Sequence, residues 1–507
     1  MVAAPKPPAA TPASGEQLLE RIAADFVGLN TTYRVATGEV TRRVYLDSTA
    51  STLMMGAAYR TVASFLEHYA NTHSLMHNSA RLATGAYDWA HQRVLSFVGA
   101  DPERYTCFFT GSGTTGGINR LARIYHQLRP DRDTVLVSIM EHHSNDLPHR
   151  KHIGRVIHLP VAMGQAGMGA VDLEALERLL VQEKGRINYV AVTGVSNVTG
   201  IINPVRAVAR LAHEHDALVL VDGAQMVAHI PVQVSGHDDP LEDIDALVFS
   251  GHKTYVPGSP GVVVARKDHL AQVEPDEVGG GMVDRVFTES YTVTPHFPER
   301  EEAGTPNIPG AIGLAAALEV LDRVGMDYLL AEETKLIGYA LQALEEIPDV
   351  TIYGTTDTGH CPRAASISFN VEGLPHSLVA GVLNDYHNIA VRNECFCAHP
   401  YVIEMIPDQA AEYLAMSDAE LAASCEPKPG MVRASFGLYN TRKDVDLLVA
   451  AIRDIVTNRE RYLPLYALGP DREYHHTTFE SVSKEAFSIP RWVDEALREY
   501  GGQSPDR

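Results

Sequence analysis

Cysteine is scarce: five residues among 507, at positions 107, 361, 395, 397 and 425. They are too few and too irregularly spaced to form a disulfide framework in a chain of this length. The expected compartment is therefore a reducing cytoplasm, where a special cysteine serves chemistry rather than structure. Long apolar runs are missing too. No stretch reaches the roughly 18 apolar residues that a membrane span needs, so no crossing of a bilayer is expected. Basic charge is also short. Lys and Arg number 42 against 64 Asp and Glu, a net charge of −22. This excludes the basic patch of a nucleic-acid binder and the polybasic anchor of a membrane-surface protein. What remains is ordinary globular material, with 45% hydrophobic and 21% charged residues. At roughly 150 residues per domain, the length predicts several domains.

Residues Met1 to Gly15 are rich in Pro and Ala and read as a flexible leader without the charged start and apolar run of a secretory signal. A helix is expected from Glu16, with Leu18, Leu19, Ile22 and Phe26 on one face. Short apolar runs then alternate with helical stretches. The runs are Tyr105–Phe109, Thr134–Ser138, Tyr189–Thr193, Ala217–Val221, Ala246–Phe249 and Gly261–Ala265. One intervening helix, Asp172–Glu183, opens with an N-cap aspartate and carries Leu173, Leu176 and Leu180 on one face. Strands alternating with helices predict an α/β fold with a mostly parallel sheet, and continuously apolar strands predict burial on both sides. A long helix from Ala311 to Val324 leads into a smaller α+β region. The expected organisation is a leader (1–15), an N-terminal segment joining the small domain (16–60), a large domain (61–310), a small domain (311–462) and an extension (463–507).

The segment Thr110–Asn119 follows a strand, opens a helix and contains Gly111, Gly113 and Gly116 at G-x-G-x-x-G spacing. Free backbone N–H groups at a helix N-terminus bind any phosphate, and the hydroxyls of Thr114 and Thr115 add donors. The motif says phosphate without saying which, and a dinucleotide fits it as well.

Two further strand ends narrow the choice. Leu218–Val221 runs into Asp222, and Val248-Phe249 runs into Ser250-Gly251-His252-Lys253, with the acid and the lysine 31 positions apart. A carboxylate can keep a pyridine nitrogen protonated. A lysine can form a Schiff base with an aldehyde. Together they describe a pyridoxal phosphate site at the ligand-binding edge of an α/β sheet.

Asp222-Gly-Ala-Gln225 and Ser250-Gly-His252-Lys253 resemble the aminotransferase class V family of fold type I. Glu141-His142-His143-Ser144-Asn145, Val195–Gly200, Glu302–Asn307 and Tyr45–Ser51 strengthen the resemblance, which covers about residues 40 to 460 and is nearest to the group II cysteine desulfurases and selenocysteine lyase. The resemblance implies a large domain with a mixed, mostly parallel sheet between helices and a smaller α+β domain. It implies that Lys253 carries pyridoxal phosphate, that Asp222 pairs with the ring nitrogen, and that His142 stacks on the ring. Gln225 and Asn197 would serve the phenolic oxygen side, and Asn197 the substrate too. Thr114, Thr115, Ser250 and His252 would hold the phosphate. Thr305 would reach the phosphate of a neighbouring subunit, which implies a homodimer with shared active sites. His142 and His143 lack a second ligand pair at metal spacing, so no zinc site is expected.

The reaction is read from Val391-Arg392-Asn393-Glu394-Cys395-Phe396-Cys397-Ala398-His399-Pro400. Group II desulfurases end the matching segment in Cys-Ala-x-Pro, and the resemblance makes Cys397 the acceptor of sulfur from L-cysteine, with alanine as product. Arg433 would bind the substrate carboxylate, a task suited to a bidentate guanidinium. Arg392 and His73 are further substrate-binding candidates, and a sulfur-acceptor protein is a possible partner. Residues alone also allow Cys397 to be an inert small hydrophobe. In that alternative the chain is a C–S lyase, aminotransferase or epimerase acting on another amino acid or a specialised metabolite. Three departures from the family pattern stand out. Asn393-Glu394-Cys395 replaces Thr-Gly-His, Ser74 stands where arginine is usual, and Cys397 and Arg433 stand 36 positions apart, a longer spacing than is usual. The last of these reflects an insertion, Asp408–Pro429, in which Ser417 and Glu420 have capping-box spacing.

Overall fold

The computed structural model describes residues 15–72, 74–164, 167–424, 426–480 and 487–501. The leader expected over 1–15 therefore lies outside the described residues except for its last member. Seven strands form the main sheet: β1 (Tyr105–Thr110), β2 (Thr134–Ser138), β3 (Arg155–Leu159), β4 (Ile187–Thr193), β5 (Leu218–Asp222), β6 (Ala246–Ser250) and β7 (Gly261–Arg266). Their order across the sheet is β1-β7-β6-β5-β4-β2-β3. Strand β7 runs antiparallel to both neighbours, and the other pairings are parallel. Every residue of β2, β4, β5 and β6 is buried. That is the consequence of helices covering both faces, and it is why these strands read as unbroken apolar runs.

The one sheet strand without such a run is β3. It lies at the edge, half-buried, and its Arg155 and His158 interrupt the apolar pattern. The first helix covers Gly15–Ala23, shorter than the expected face, so Phe26 lies beyond it, bridged to Met55 and buried in the core. The N-cap role of Asp172 holds: its carboxylate accepts the Ala175 N–H at 2.9 Å. The long helix runs Ile308–Val324, started by Asn307, whose side chain accepts the Gly310 N–H at 3.0 Å.

A second, antiparallel sheet follows. It comprises β8 (Val350–Ile352), β9 (Ser366–Val371), β10 (Arg392–Glu394) and β11 (Met431–Ser435), in the order β8-β9-β11-β10. Its core joins Ile367, Phe369, Val432 and Ala434 to the helices His376–His387 and Arg442–Thr457. Val44 and Leu46 from the N-terminal segment belong to that core as well, brought there by parallel pairing of Val44-Tyr45 with Ile389-Ala390. A hairpin, β12 (Tyr466–Leu468) with β13 (Tyr474–His476), closes the described tail against the helix His376–His387. Beyond it, residues 489–501 form a helix.

Candidate active site

The parallel register of β5 and β6, with Asp222 opposite Val248, brings the carboxyl ends of these strands together. Asp222 is the last residue of β5, and a short 3-10 turn, Gly251–Lys253, follows β6. The acid and the lysine, 31 residues apart in sequence, thus line one cavity of about 210 Å³. Both are buried. Burial pushes the Asp222 carboxyl up, while the Ala224 N–H, 2.9 Å from Oδ1, and the charge of Lys253 oppose it. Burial holds the Lys253 ammonium below its ordinary value against the pull of Asp222. An amine that sheds its proton easily, beside an acid, is a nucleophile and base in waiting.

The glycine-rich turn forms the opposite wall. The helix Gly113–Leu128 starts there, and the Thr114 N–H donates to Ser250 Oγ at 2.7 Å, with the Thr114 and Ser250 hydroxyls 2.8 Å apart. Thr115 Oγ1 lies 2.8 Å from Ser144 Oγ. The glycines that matter only partly coincide with the spacing motif. Gly113 has φ of +62°, and a Cβ there would stand 2.7 Å from Ser250 Oγ. Gly117, outside the motif, lets the helix close on the sheet, since a Cβ would meet Val248 at 2.6 Å. Gly111 has open space around it.

His142 accepts the Ser144 N–H at Nδ1, 3.0 Å away, which assigns its proton to Nε2. Burial, with the nearby charge of Lys253, pushes its pKa down to about 3, so the ring is neutral. His252, in the same wall, is likewise pushed down to about 4 by burial. Gln225 donates from Nε2 to Thr49 O at 2.8 Å, and its Oε1 is buried with no partner among the described residues. Asn197 completes the lining.

Cys397 is exposed and stands in a strained turn. Glu394, Phe396 and Cys397 have φ of +90°, +51° and +55°, and none is glycine. Each such residue costs roughly 1–2 kcal/mol in the left-handed region and persists only where neighbours over-determine it. Asn197 Nδ2 donates to Phe396 O at 2.8 Å, and the His143 N–H donates to Cys397 O at 2.6 Å. Cys397 is close enough to act electrostatically on Lys253 and Arg433. Cys395, by contrast, is buried, donates to Pro429 O at 3.4 Å, and has its pKa pushed up to about 12 by burial.

Arg433 is buried on β11 and donates from Nη1 to Asn197 O at 2.7 Å. Burial lowers its pKa to about 10, which still leaves it cationic at neutral pH. Arg392 stands opposite Arg433 across the β10–β11 pair. Asp47 joins them, 2.9 Å from Arg392 Nη2 and 3.6 Å from Arg433 Nη2. Two expected residues stand apart. Thr305 lies outside the cavity lining and accepts a hydrogen bond from Asn71 Nδ2 at 3.3 Å, and His73 lies outside the described residues. Sequence reasoning missed Asp47 as the partner of both arginines, although the Tyr45–Ser51 segment was in view. It also missed His143 against His399, whose rings stack at 4.9 Å with Nε2 and Nδ1 3.1 Å apart. Among the described residues, no group of three or more potential ligands could hold a metal ion.

Comparison with known proteins identifies the family. A family model described as aminotransferase class V matches residues 44–448. The cysteine desulfurase of Klebsiella pneumoniae (strain 342) is 35% identical over 439 residues, which span 86% of this chain and 98% of that one. The probable cysteine desulfurase of Halalkalibacterium halodurans is 36% identical over 417 residues, 81% of this chain and 92% of the relative. Among solved structures, an apo cysteine desulfurase from Thermococcus onnurineus NA1 superposes with a TM-score of 0.72 at 29% identity, covering 87% of this chain and 98% of its own. A cysteine desulfurase from Escherichia coli, in an S-sulfonic acid form, superposes with a TM-score of 0.67 at 30% identity, covering 88% and 98%. The matched region takes in both sheets and every cavity-lining residue, and the chain belongs to the aminotransferase class V family.

Proposed function

We propose that this chain is a pyridoxal-phosphate-dependent cysteine desulfurase, which takes the sulfur of L-cysteine onto Cys397 as a persulfide and releases L-alanine. One observation carries the reading. Asn197, a lining residue of the Lys253 cavity, is hydrogen-bonded both to Arg433 and to the carbonyl that precedes Cys397. Carboxylate binder, sulfur acceptor and the cavity amine thus form one unit. The relatives bearing the name cysteine desulfurase support it.

The residues fit the cofactor. The unpaired, buried Gln225 Oε1 is a polar atom that a bound polar ligand would satisfy. Asp222 suits a protonated ring nitrogen, the Thr114, Thr115, Ser250 and His252 wall at the helix N-terminus suits a phosphate, and Lys253 suits an aldehyde. When bound, pyridoxal phosphate supplies an aldehyde that condenses with an amino group and a ring that draws electrons from the substrate Cα.

The chain's own residues do the rest. Arg433 binds the substrate carboxylate, with Arg392 at the outer rim. Asn197 would fix the approach, and neutral His142, which lines the same cavity, would face a bound ring without adding charge. Lys253, its ammonium weakened by burial, takes the Cα proton on Nζ and returns it. Cys397 attacks as thiolate on the substrate sulfur. The new S–S bond forms as the C–S bond breaks, its electron pair stays with Cβ, and Cβ is protonated. L-cysteine and the Cys397 thiol give alanine and the Cys397 persulfide without an outside oxidant or reductant.

The proposal includes a homodimer with shared sites, because Thr305 stands outside its own cavity, and transfer of the persulfide sulfur to an acceptor protein. It also includes a cytoplasmic setting, which the free thiols of Cys107, Cys361, Cys395 and Cys397 support. None of the described helices is long and apolar enough to cross a membrane.

The test is to purify the protein with pyridoxal phosphate, add L-cysteine and a thiol reductant, and follow alanine and sulfide together in wild type and Cys397→Ser. Equal alanine and sulfide, both lost in the variant, are expected. Pyruvate in place of alanine, or turnover indifferent to Cys397, would replace this reading with a C–S lyase.

A further inference from the structure

Two departures of this chain from the family pattern, the Asn393-Glu394-Cys395 segment and the insertion, meet in space. Strand β10, with Asn393 and Glu394, leads into the Cys397 turn. The insertion returns to the sheet through Lys428 and Pro429. The tail hairpin β12–β13 presents its turn to both. Glu473 Oε2 accepts from Asn393 Nδ2 at 2.8 Å. Its neighbour Arg472 donates from Nε to Glu426 O at 2.7 Å and lies 6.0 Å from the Tyr413 ring of the insertion. Lys428 pairs with Glu394 at 3.0 Å, and Pro429 O accepts from Cys395 Sγ at 3.4 Å. The approach is close: a Cβ on Gly430 would stand 2.7 Å from Glu394 Cα. The hairpin is itself anchored, by Tyr466 Oη to Asp385 at 2.9 Å and by Tyr386 Oη to His476 at 3.1 Å.

We propose that the tail hairpin is a positioning clamp for the Cys397 turn, acting through Glu473 and Arg472. The inference rests on the reading of Cys397 as sulfur acceptor. From the cavity side, Asn197 and His143 hold the carbonyls of Phe396 and Cys397. Beyond that grip and the pairing of Glu394 with Met431 on β11, the left-handed Glu394 at the root of the turn is held by what packs on its outer side. The clamp holds that root: Glu473 fixes Asn393, and Arg472 fixes the insertion segment that carries Lys428 to Glu394. A strained turn persists only when its surroundings over-determine it, and a sulfur acceptor works only at a fixed distance from its target. Glu473 and Arg472 touch neither substrate nor cofactor and are positioning residues.

The experiment uses the full-length, cofactor-loaded enzyme and compares wild type with Glu473→Ala, Glu473→Gln and Arg472→Ala. Two quantities are read: kcat and KM for alanine formation from L-cysteine, and the rate at which iodoacetamide labels Cys397, followed by peptide mass mapping without substrate. In Glu473→Ala, kcat is expected to fall roughly tenfold with KM and cofactor absorbance unchanged, and labelling of Cys397 to accelerate as the turn opens. Glu473→Gln, which keeps an oxygen for Asn393, restores both. Arg472→Ala shifts both in the same direction and carries the test if Glu473→Ala does not fold. Wild-type labelling and kcat in both alanine variants would overturn the clamp, as would a loss that Glu473→Gln does not repair. A wild type that makes no alanine would overturn the proposed reaction instead, while the labelling rates, which need no turnover, would still decide the clamp.

Discussion

The guanidinium of Arg433 lies 4.6 Å over the ring of Phe396, the residue immediately before Cys397. The same group donates to Asn197 O and approaches Asp47. One buried cation thereby joins the proposed carboxylate site to the turn that carries Cys397, the proposed sulfur acceptor.

Arg433→Lys keeps the charge and removes the planar fork. A lysine ammonium can neither lie flat on Phe396 nor bind a carboxylate through two parallel hydrogen bonds. Loss of one charged hydrogen bond, about 1.5–3 kcal/mol, corresponds to about 10–100-fold in kcat/KM for L-cysteine. Steady-state kinetics check it, and an unchanged kcat/KM would remove Arg433 from substrate binding.

Lys253→Ala is expected to abolish both the yellow absorbance of cofactor-loaded protein and alanine formation. Loss of a positioned base alone costs about 10²–10⁴-fold. Stability moves the other way. A buried amine is costly to keep charged, so cofactor-free Lys253→Ala melts no lower than cofactor-free wild type in calorimetry. A large drop in melting temperature would mean that the lysine serves the fold.

Acid is expected to destabilise the protein through its buried histidines. His149 Nδ1 lies 2.7 Å from Tyr189 Oη, and burial pushes its pKa down to about 3 from 6.5. The unfolded chain therefore binds the proton more readily. The stability His149 supplies is present above pH 6.5 and is lost as pH falls from 6.5 toward 3. Each such group contributes a slope of about 1.4 kcal/mol per pH unit in that window. Urea titrations between pH 7 and 5 should show the fall, and His149→Gln should flatten it. Parallel slopes in variant and wild type would rule out His149 as the cause.

Thiol reactivity should separate two cysteines only two positions apart. Cys397 is exposed, whereas Cys395 is buried with its pKa pushed up to about 12 and Cys107 is buried with its pKa raised by burial. Thiolates react and thiols do not. Limiting iodoacetamide at pH 8 is expected to label Cys397, and to reach Cys395 and Cys107 only in urea. Labelling of Cys395 in the native protein would contradict its burial.

Much of the fold was legible because buried parallel strands need apolar residues on both faces, and β2, β4, β5 and β6 show this as unbroken runs. The edge strand β3 was not legible, since Arg155 and His158 are tolerated where one side meets solvent. In the glycine-rich turn, spacing pointed to Gly111, whereas packing depends on Gly117 and its closeness to Val248.

The sequence by itself determined that one strand ends in Asp222 and another runs into the turn that carries Lys253, that a helix N-terminus carries Thr114 and Thr115, and that Cys397 and Arg433 belong to the same family pattern. These are local facts: which residue closes an apolar run, which opens a helix. Only the tertiary structure decided that Asp47 serves both Arg392 and Arg433, that His143 stacks on His399, and that Glu473 reaches Asn393. Such contacts join residues from 80 to 386 positions apart. They follow from how two sheets, an insertion and a tail pack together, and no period or spacing along the chain encodes that packing.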